Sequence, residues 1–154
     1  MACPYFMPME KLDGGSWPHP ARLPLGGGWR GCCTAPGHEN QVPQQEVLES
    51  FCNLGYAGGC QWAPRERSWD AVRFSLAAQA ESNLQNRDKG IPAPLPVIRL
   101  LYACERAHRP VEHGALEFDP QQSEWTRRHN DPRVQKMAEC FLESCLLKKA
   151  RIES

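Results

Sequence analysis

Cys3, Cys32, Cys33, Cys52 and Cys60 crowd the first sixty residues of a 154-residue chain, in company with ten of its twelve glycines. Glycine brings positive φ angles and close backbone approach, and the eight prolines of residues 1–66 pre-set turns. Such a composition builds loops rather than long regular elements, and ordering loops costs about 1–2 kcal/mol per residue in backbone entropy. Some cross-link has to offset that cost. The segment also carries Tyr5, Phe6, Trp17, Trp29, Phe51, Tyr56, Trp62 and, at its far edge, Trp69, whereas disordered linkers are poor in aromatics. A compact shell folded around metal-bound thiolates reconciles the two.

The remaining composition narrows the setting. Eighteen Lys and Arg balance eighteen Asp and Glu, which gives no electrostatic reason to expect nucleic acid as a partner. No apolar run approaches the ~20 residues that span a bilayer. The first residues, Met1 to Pro8, are broken by prolines and followed by charge, unlike a signal peptide. A cytoplasmic location is expected, and there clustered cysteines point to metal ligation or redox chemistry more than to a disulfide framework.

Ligand spacing then separates the metals. Zinc knuckles supply two close cysteines each, as in a repeated C-x2-C, and no such pair occurs here. An iron–sulfur cubane is larger than a zinc ion and takes four thiolates from separated positions. Cys3, Cys33, Cys52 and Cys60 are the expected ligands of a [4Fe–4S] cluster. Adjacent cysteines point in different directions, so Cys32 is the substitute for Cys33. Pro43, Glu46 and the helical spacing of Val47, Leu48, Phe51 and Leu54 predict a helix closed by Gly55, with Cys52 on its last turn. Glycine-rich backbone at 26–28 and 58–59 would present N–H groups to the sulfurs, and Tyr5, Trp29, Tyr56 and Trp62 would shield the centre.

Two other readings compete. Zinc could stabilise a structural or interaction module. Alternatively Cys52 or Cys60 could be the nucleophile of a metal-free thiol enzyme, with His38, His108 or His113 as base. No P-loop, dinucleotide-binding glycine motif or H-E-x-x-H occurs. The stretch Glu105–His113 reads as a charged hairpin tip, and Trp125–His129 as the solvated approach to a helix. Cys104, Cys140 and Cys145 lie in strongly patterned segments and read as core residues; the last two diverge by more than ~100° around a helix.

From residue 67 the pattern is regular. Asp70–Leu76, Val97–Glu105 and Val111–Phe118 alternate as three strands, with a turn at Ala107–Pro110 and an exposed connection over 80–96. Asp131 and Pro132 mark the N-cap and first position of a C-terminal helix, whose apolar stripe is Val134, Met137, Ala138, Phe141, Cys145 and Leu146. The expected fold is α+β: an irregular Cys/Gly/Pro-rich metal-binding region, residues 1–66, packed beside a small antiparallel sheet with a C-terminal helix, residues 67–154, as one compact unit. The expected function is electron transfer or redox sensing by the cluster, beside a larger protein redox partner. No catalytic motif accompanies it.

Overall fold

Alternating side chains in the second half pair as the pattern requires. The computed structural model describes residues 2–12, 23–55, 57–77 and 96–153. Within them β3 (Ala71–Leu76), β4 (Ile98–Arg106), β5 (Arg109–Asp119) and β6 (Glu124–Arg127) form an antiparallel meander in chain order. Leu100 and Cys104 turn inward from β4, while Arg99 and Leu101 face out. The turn between β4 and β5 is at Ala107 and His108, both with positive φ. Asp70 accepts the Ala107 N–H at 2.8 Å and is itself bonded to Arg67. The connection expected over 80–96 lies, apart from Pro96, outside the described residues.

The fourth strand, β6, replaces the solvated approach expected at Trp125–His129. Its four residues carry one large apolar side chain, Trp125, which packs on Phe118 of β5 with ring centroids 5.3 Å apart. A single inward residue leaves no periodicity to detect.

A helix, α2 (Pro132–Glu153), covers the sheet. Asp131 caps it, its carboxylate accepting the N–H of Arg133 at 2.9 Å. The buried stripe keeps Val134, Met137 and Ala138 of the expected one and is wider: Cys140, Leu142 and Ser144 are buried too, whereas Leu146 is 43% exposed. The helix packs on the N-terminal ribbon as well as on β3, so a wider arc of its surface is covered than a sheet alone would require. Among the described residues no helix is long and apolar enough to cross a membrane.

The N-terminal region is more regular than its composition predicts. β1 (Phe6–Leu12) and β2 (Gly28–Cys33) form an antiparallel ribbon, with a register shift between Pro8 and Glu10. A bulge tolerates the proline that otherwise argues against a strand. Gly31 is required there, since a Cβ would lie 1.9 Å from the Met7 carbonyl oxygen. The expected helix over 43–54 is also altered. One α turn, α1 (Gln45–Val47), passes into a π turn, Leu48–Cys52. One core cluster joins Ala2, Phe6, Trp29 and Leu48 to Val72, Val134 and Met137, and so includes residues from both compositional halves.

Candidate metal centre

Four segments deliver one thiol each to the same pocket. Cys3, Cys33, Cys52 and Cys60 line it together with Tyr5, Phe6, Phe51 and Trp62. Cys3 precedes β1 and is pinned on both sides: the Ala2 N–H donates to the Val72 carbonyl at 2.9 Å, and the Cys3 N–H to the Cys52 carbonyl at 3.2 Å. Cys33 ends β2. A loop returns to it, with the Cys33 N–H donating to Gln41 and the Asn40 N–H donating to Cys33. Cys52 closes the π turn, and Cys60 follows the tight turn Ala57–Gly59.

The ribbon register separates the adjacent cysteines. Cys33 pairs with Phe6 and faces the core with it; Cys32 pairs with Met7, whose side chain lies on the opposite face. Cys33 lines the pocket and Cys32 does not. Of the aromatics expected around the site, Tyr5 and Trp62 line it, Trp29 is buried without lining it, and Tyr56 lies outside the described residues. Phe6 and Phe51 complete the wall. Trp62 is held from behind by His38, stacked at 4.7 Å.

Asn53 is a positioning residue that no sequence pattern revealed. It is 1% exposed. Its carboxamide oxygen accepts the Trp29 N–H at 2.9 Å, and its amide donates to the Trp29 carbonyl at 2.9 Å and the Leu48 carbonyl at 3.0 Å. The side chain thus pairs with β2 as a neighbouring strand would, and ties the turn bearing Cys52 to the strand bearing Cys33. The Asn53 backbone N–H reaches back to Leu48, the bond that makes the turn π.

Burial raises the Cys3 thiol to about 11, against a smaller downward pull from the N–H groups of Tyr5 and Phe6. Burial likewise raises Cys33, opposed by the N–H groups of Ala35 and Thr34. The Ala35 N–H lies 3.3 Å from the Cys33 sulfur. Cys52 is raised further still by burial and by the neighbouring thiols Cys3, Cys60 and Cys33. The amide donors therefore follow the cysteines in sequence, at Tyr5, Phe6, Thr34 and Ala35, rather than coming from the glycine runs before them. N–H groups aimed at sulfur favour a thiolate ligand, and metal binding would displace the protons.

The arrangement is wider than a zinc knuckle and tighter than an open cavity. A tetrahedral ion with Zn–S bonds of about 2.3 Å sets its sulfurs about 3.8 Å apart. Among the described residues, only Cys104, Glu112 and His129 bring three potential ligand atoms within 4.8 Å of one another. Between the four thiols the side chains leave ≈ 10 Å³, about the room for one water. A cluster would need one wall to move outward, and the wall with space behind it is formed by Val47, Phe51, Cys60 and Trp62. All four also line an open groove of ≈ 790 Å³, and Cys60 carries the one thiol among them.

No histidine lines the pocket or the groove, so none of His38, His108 and His113 is placed there as a base for Cys52 or Cys60. Burial that holds Cys52 as a thiol also opposes its use as a nucleophile.

The Cys104, Glu112 and His129 group is a closed hydrogen-bond network. His129 accepts the Asp131 N–H at Nδ1, 2.9 Å, and its Nε2 is 2.9 Å from the Glu112 carboxylate. With Nδ1 accepting, Nε2 carries the proton and donates. In that tautomer His129 offers no lone pair to an ion, and metal-binding histidines instead donate through their second nitrogen. Cys104, which reads in sequence as core, is 0% exposed, and burial followed by the Glu112 carboxylate pushes its thiol up to about 12.

Comparison with protein-family models, with curated proteins and with solved structures finds no match to the chain.

Proposed function

We propose that Cys3, Cys33, Cys52 and Cys60 hold an iron–sulfur cluster of the [4Fe–4S] type, and that the protein exchanges or senses electrons beside a larger protein partner. The observation that carries this reading is the convergence of four thiols, from four separate segments, on one apolar pocket. A cluster would supply one-electron exchange without proton chemistry. The chain's own residues do the rest. Cys3, Cys33 and Cys52 are anchored by the ribbon, the terminal bridge and the Asn53 amide. Phe6, Phe51 and Trp62 exclude water, and the N–H groups beside Cys3 and Cys33 stabilise thiolate sulfur.

The second reading is a single zinc ion that organises the fold. The small free space between the thiols favours it; their wide setting and the lack of any C-x2-C pair oppose it.

Anaerobic purification followed by iron, sulfide and zinc analysis separates the two. The cluster reading expects brown protein containing iron and sulfide in equal amounts, with broad visible absorption that bleaches on reduction. Colourless protein with one equivalent of zinc overturns it.

A further inference from the structure

The four thiols are held unequally. Cys3, Cys33 and Cys52 are 7%, 9% and 6% exposed, and each belongs to backbone tied to a distant segment or closed by a return loop. Cys60 is half-buried. Its own backbone bonds run to Ala57, which accepts the Cys60 N–H at 3.0 Å, and from the Ala63 N–H at 3.3 Å; the long-range tie of the turn is at Ala57, whose N–H donates to the Asp70 carbonyl at 2.8 Å. Gly59 precedes it so closely over Phe51 that a Cβ would lie 2.6 Å from the ring.

Cys60 also stands between two spaces. One side faces the other thiols, and the other faces the open groove, whose walls include Gln41, Val42, Gln44 and Gln61. No charged side chain lines that groove. It can offer amide donors and acceptors and apolar surface to a small uncharged molecule, while a multiply charged one would lose hydration without gaining a partner.

We propose, on the basis of the iron–sulfur reading, that Cys60 is the exchangeable ligand of the centre, replaced by an uncharged small-molecule thiol that enters through the groove. In the exchange the bond between iron and the Cys60 sulfur breaks and one to the incoming sulfur forms. The proton of the incoming thiol passes to the departing Cys60 thiolate. No electrons are gained or lost. Cys3, Cys33 and Cys52 keep their iron bonds because they are buried and face no open space, whereas Cys60 is half-buried and has the groove to move into.

The test uses the full chain, reconstituted anaerobically with iron and sulfide, as wild type and as the single variants Cys3→Ala, Cys33→Ala, Cys52→Ala and Cys60→Ala. Each is prepared with and without 2-mercaptoethanol, and iron content and electron paramagnetic resonance are recorded. Cys60→Ala is expected to match wild-type iron content when the thiol is present. On its removal and mild oxidation, the same variant should show a three-iron signal. The other three variants should lose their iron in either medium. Cys60→Ser, with circular dichroism on every variant, separates loss of ligation from loss of fold. Folded Cys60→Ala that loses iron as completely as the others, with the thiol present, overturns the proposal. Wild-type protein that takes up no iron removes the iron–sulfur reading itself, and this inference with it.

Discussion

The backbone N–H of Cys3 donates to the carbonyl of Cys52 at 3.2 Å, so two of the four converging thiols sit on directly bonded segments. The neighbouring residue, Ala2, exchanges two backbone hydrogen bonds with Val72, each 2.9 Å. The N-terminal segment is therefore stitched to β3 and to the π turn in consecutive residues. Ala2 is fully buried, with no exposed surface, which leaves the segment little freedom to swing Cys3 away from the pocket.

This geometry grades the cysteines. Replacement of Cys3, Cys33 or Cys52 by Ser is expected to abolish metal binding, read as metal per chain after anaerobic reconstitution. Cys32→Ser should retain it, since Cys32 lies across the ribbon from the pocket. Cys140→Ala and Cys145→Ala should also retain it, at a stability cost of about 1 kcal/mol for the buried Cys140. A Cys32→Ser variant without metal beside a fully loaded Cys33→Ser variant would reverse the ligand assignment.

Asn53→Ala removes three buried side-chain hydrogen bonds and strands the Trp29 N–H and the Trp29 and Leu48 carbonyls. An unsatisfied buried group costs about 1–3 kcal/mol, and partial relaxation limits the sum. The expected destabilisation is about 2–4 kcal/mol in urea unfolding of the metal-free protein. A change below 1 kcal/mol would show that β2 and the π turn are held by packing alone.

Asn53 also marks where sequence reading stops. Strands β3, β4 and β5 are legible because residues such as Leu100 face a core while their neighbours, here Arg99 and Leu101, face water. The cap at Asp131 and Pro132 is legible because its chemistry is local. The ribbon is not, because Pro8 and Gly31 read as breakers and become admissible only at the bulge and close approach that pairing creates. The convergence of the four cysteines is legible as a composition, but its depth depends on long-range bonds that leave no periodic trace. The choice of Cys33 over Cys32 follows from one register, Phe6 opposite Cys33.

The β4–β5 turn offers a test independent of any metal. Ala107 and His108 occupy φ of 53° and 63°, a conformation that a two-residue hairpin assigns to Asn-Gly. The double variant Ala107→Asn, His108→Gly keeps the backbone N–H that Asp70 accepts. It should raise stability by about 1 kcal/mol, seen as a higher midpoint in urea. Destabilisation would show that contacts of the His108 side chain outweigh the backbone strain.

Alkaline titration distinguishes the free from the metal-bound site. Burial raises the Cys3 thiol from an ordinary value of 9.0 to about 11. Below pH 9 that thiol is protonated whether the chain is folded or not, and the stability associated with its burial is fully present. Between pH 9 and 11 the unfolded chain loses the proton first, so folded metal-free protein loses stability as pH rises. A shift of two units corresponds to roughly 3 kcal/mol, and Cys52, raised higher, extends the loss. Metal-loaded protein should be flat across this window because its ligands are already thiolates, and should instead release metal as protons compete at low pH. Urea unfolding at a series of pH values under reducing conditions reads both. A metal-free protein equally stable at pH 8 and 11 would mean that Cys3 is not buried as a thiol.

Arg133 places a positive charge against the segments that carry Cys3 and Cys33. Its guanidinium lies 5.1 Å from the centre of the Tyr5 ring, donates to the Thr34 hydroxyl at 3.3 Å, and is held by a fork to Asp131. Tyr5 and Thr34 belong to the segments that carry Cys3 and Cys33. Hydrogen bonding to Asp131 chiefly, and the charges of Asp131, Tyr5 and Cys3 in addition, hold Arg133 protonated. Two unit charges about 10 Å apart interact by about 1–2 kcal/mol at an effective dielectric near 20, which sets the scale of the effect, and Asp131 offsets part of it. A cation favours the reduced, more negative state of a cluster. On the iron–sulfur reading, Arg133→Gln should therefore lower the midpoint potential by tens of millivolts, while Arg133→Lys, which keeps the charge but loses the fork, should shift it less. Equal shifts in the two variants, or a rise in Arg133→Gln, would assign Arg133 to the packing of Tyr5 and Thr34 rather than to the field at the thiols.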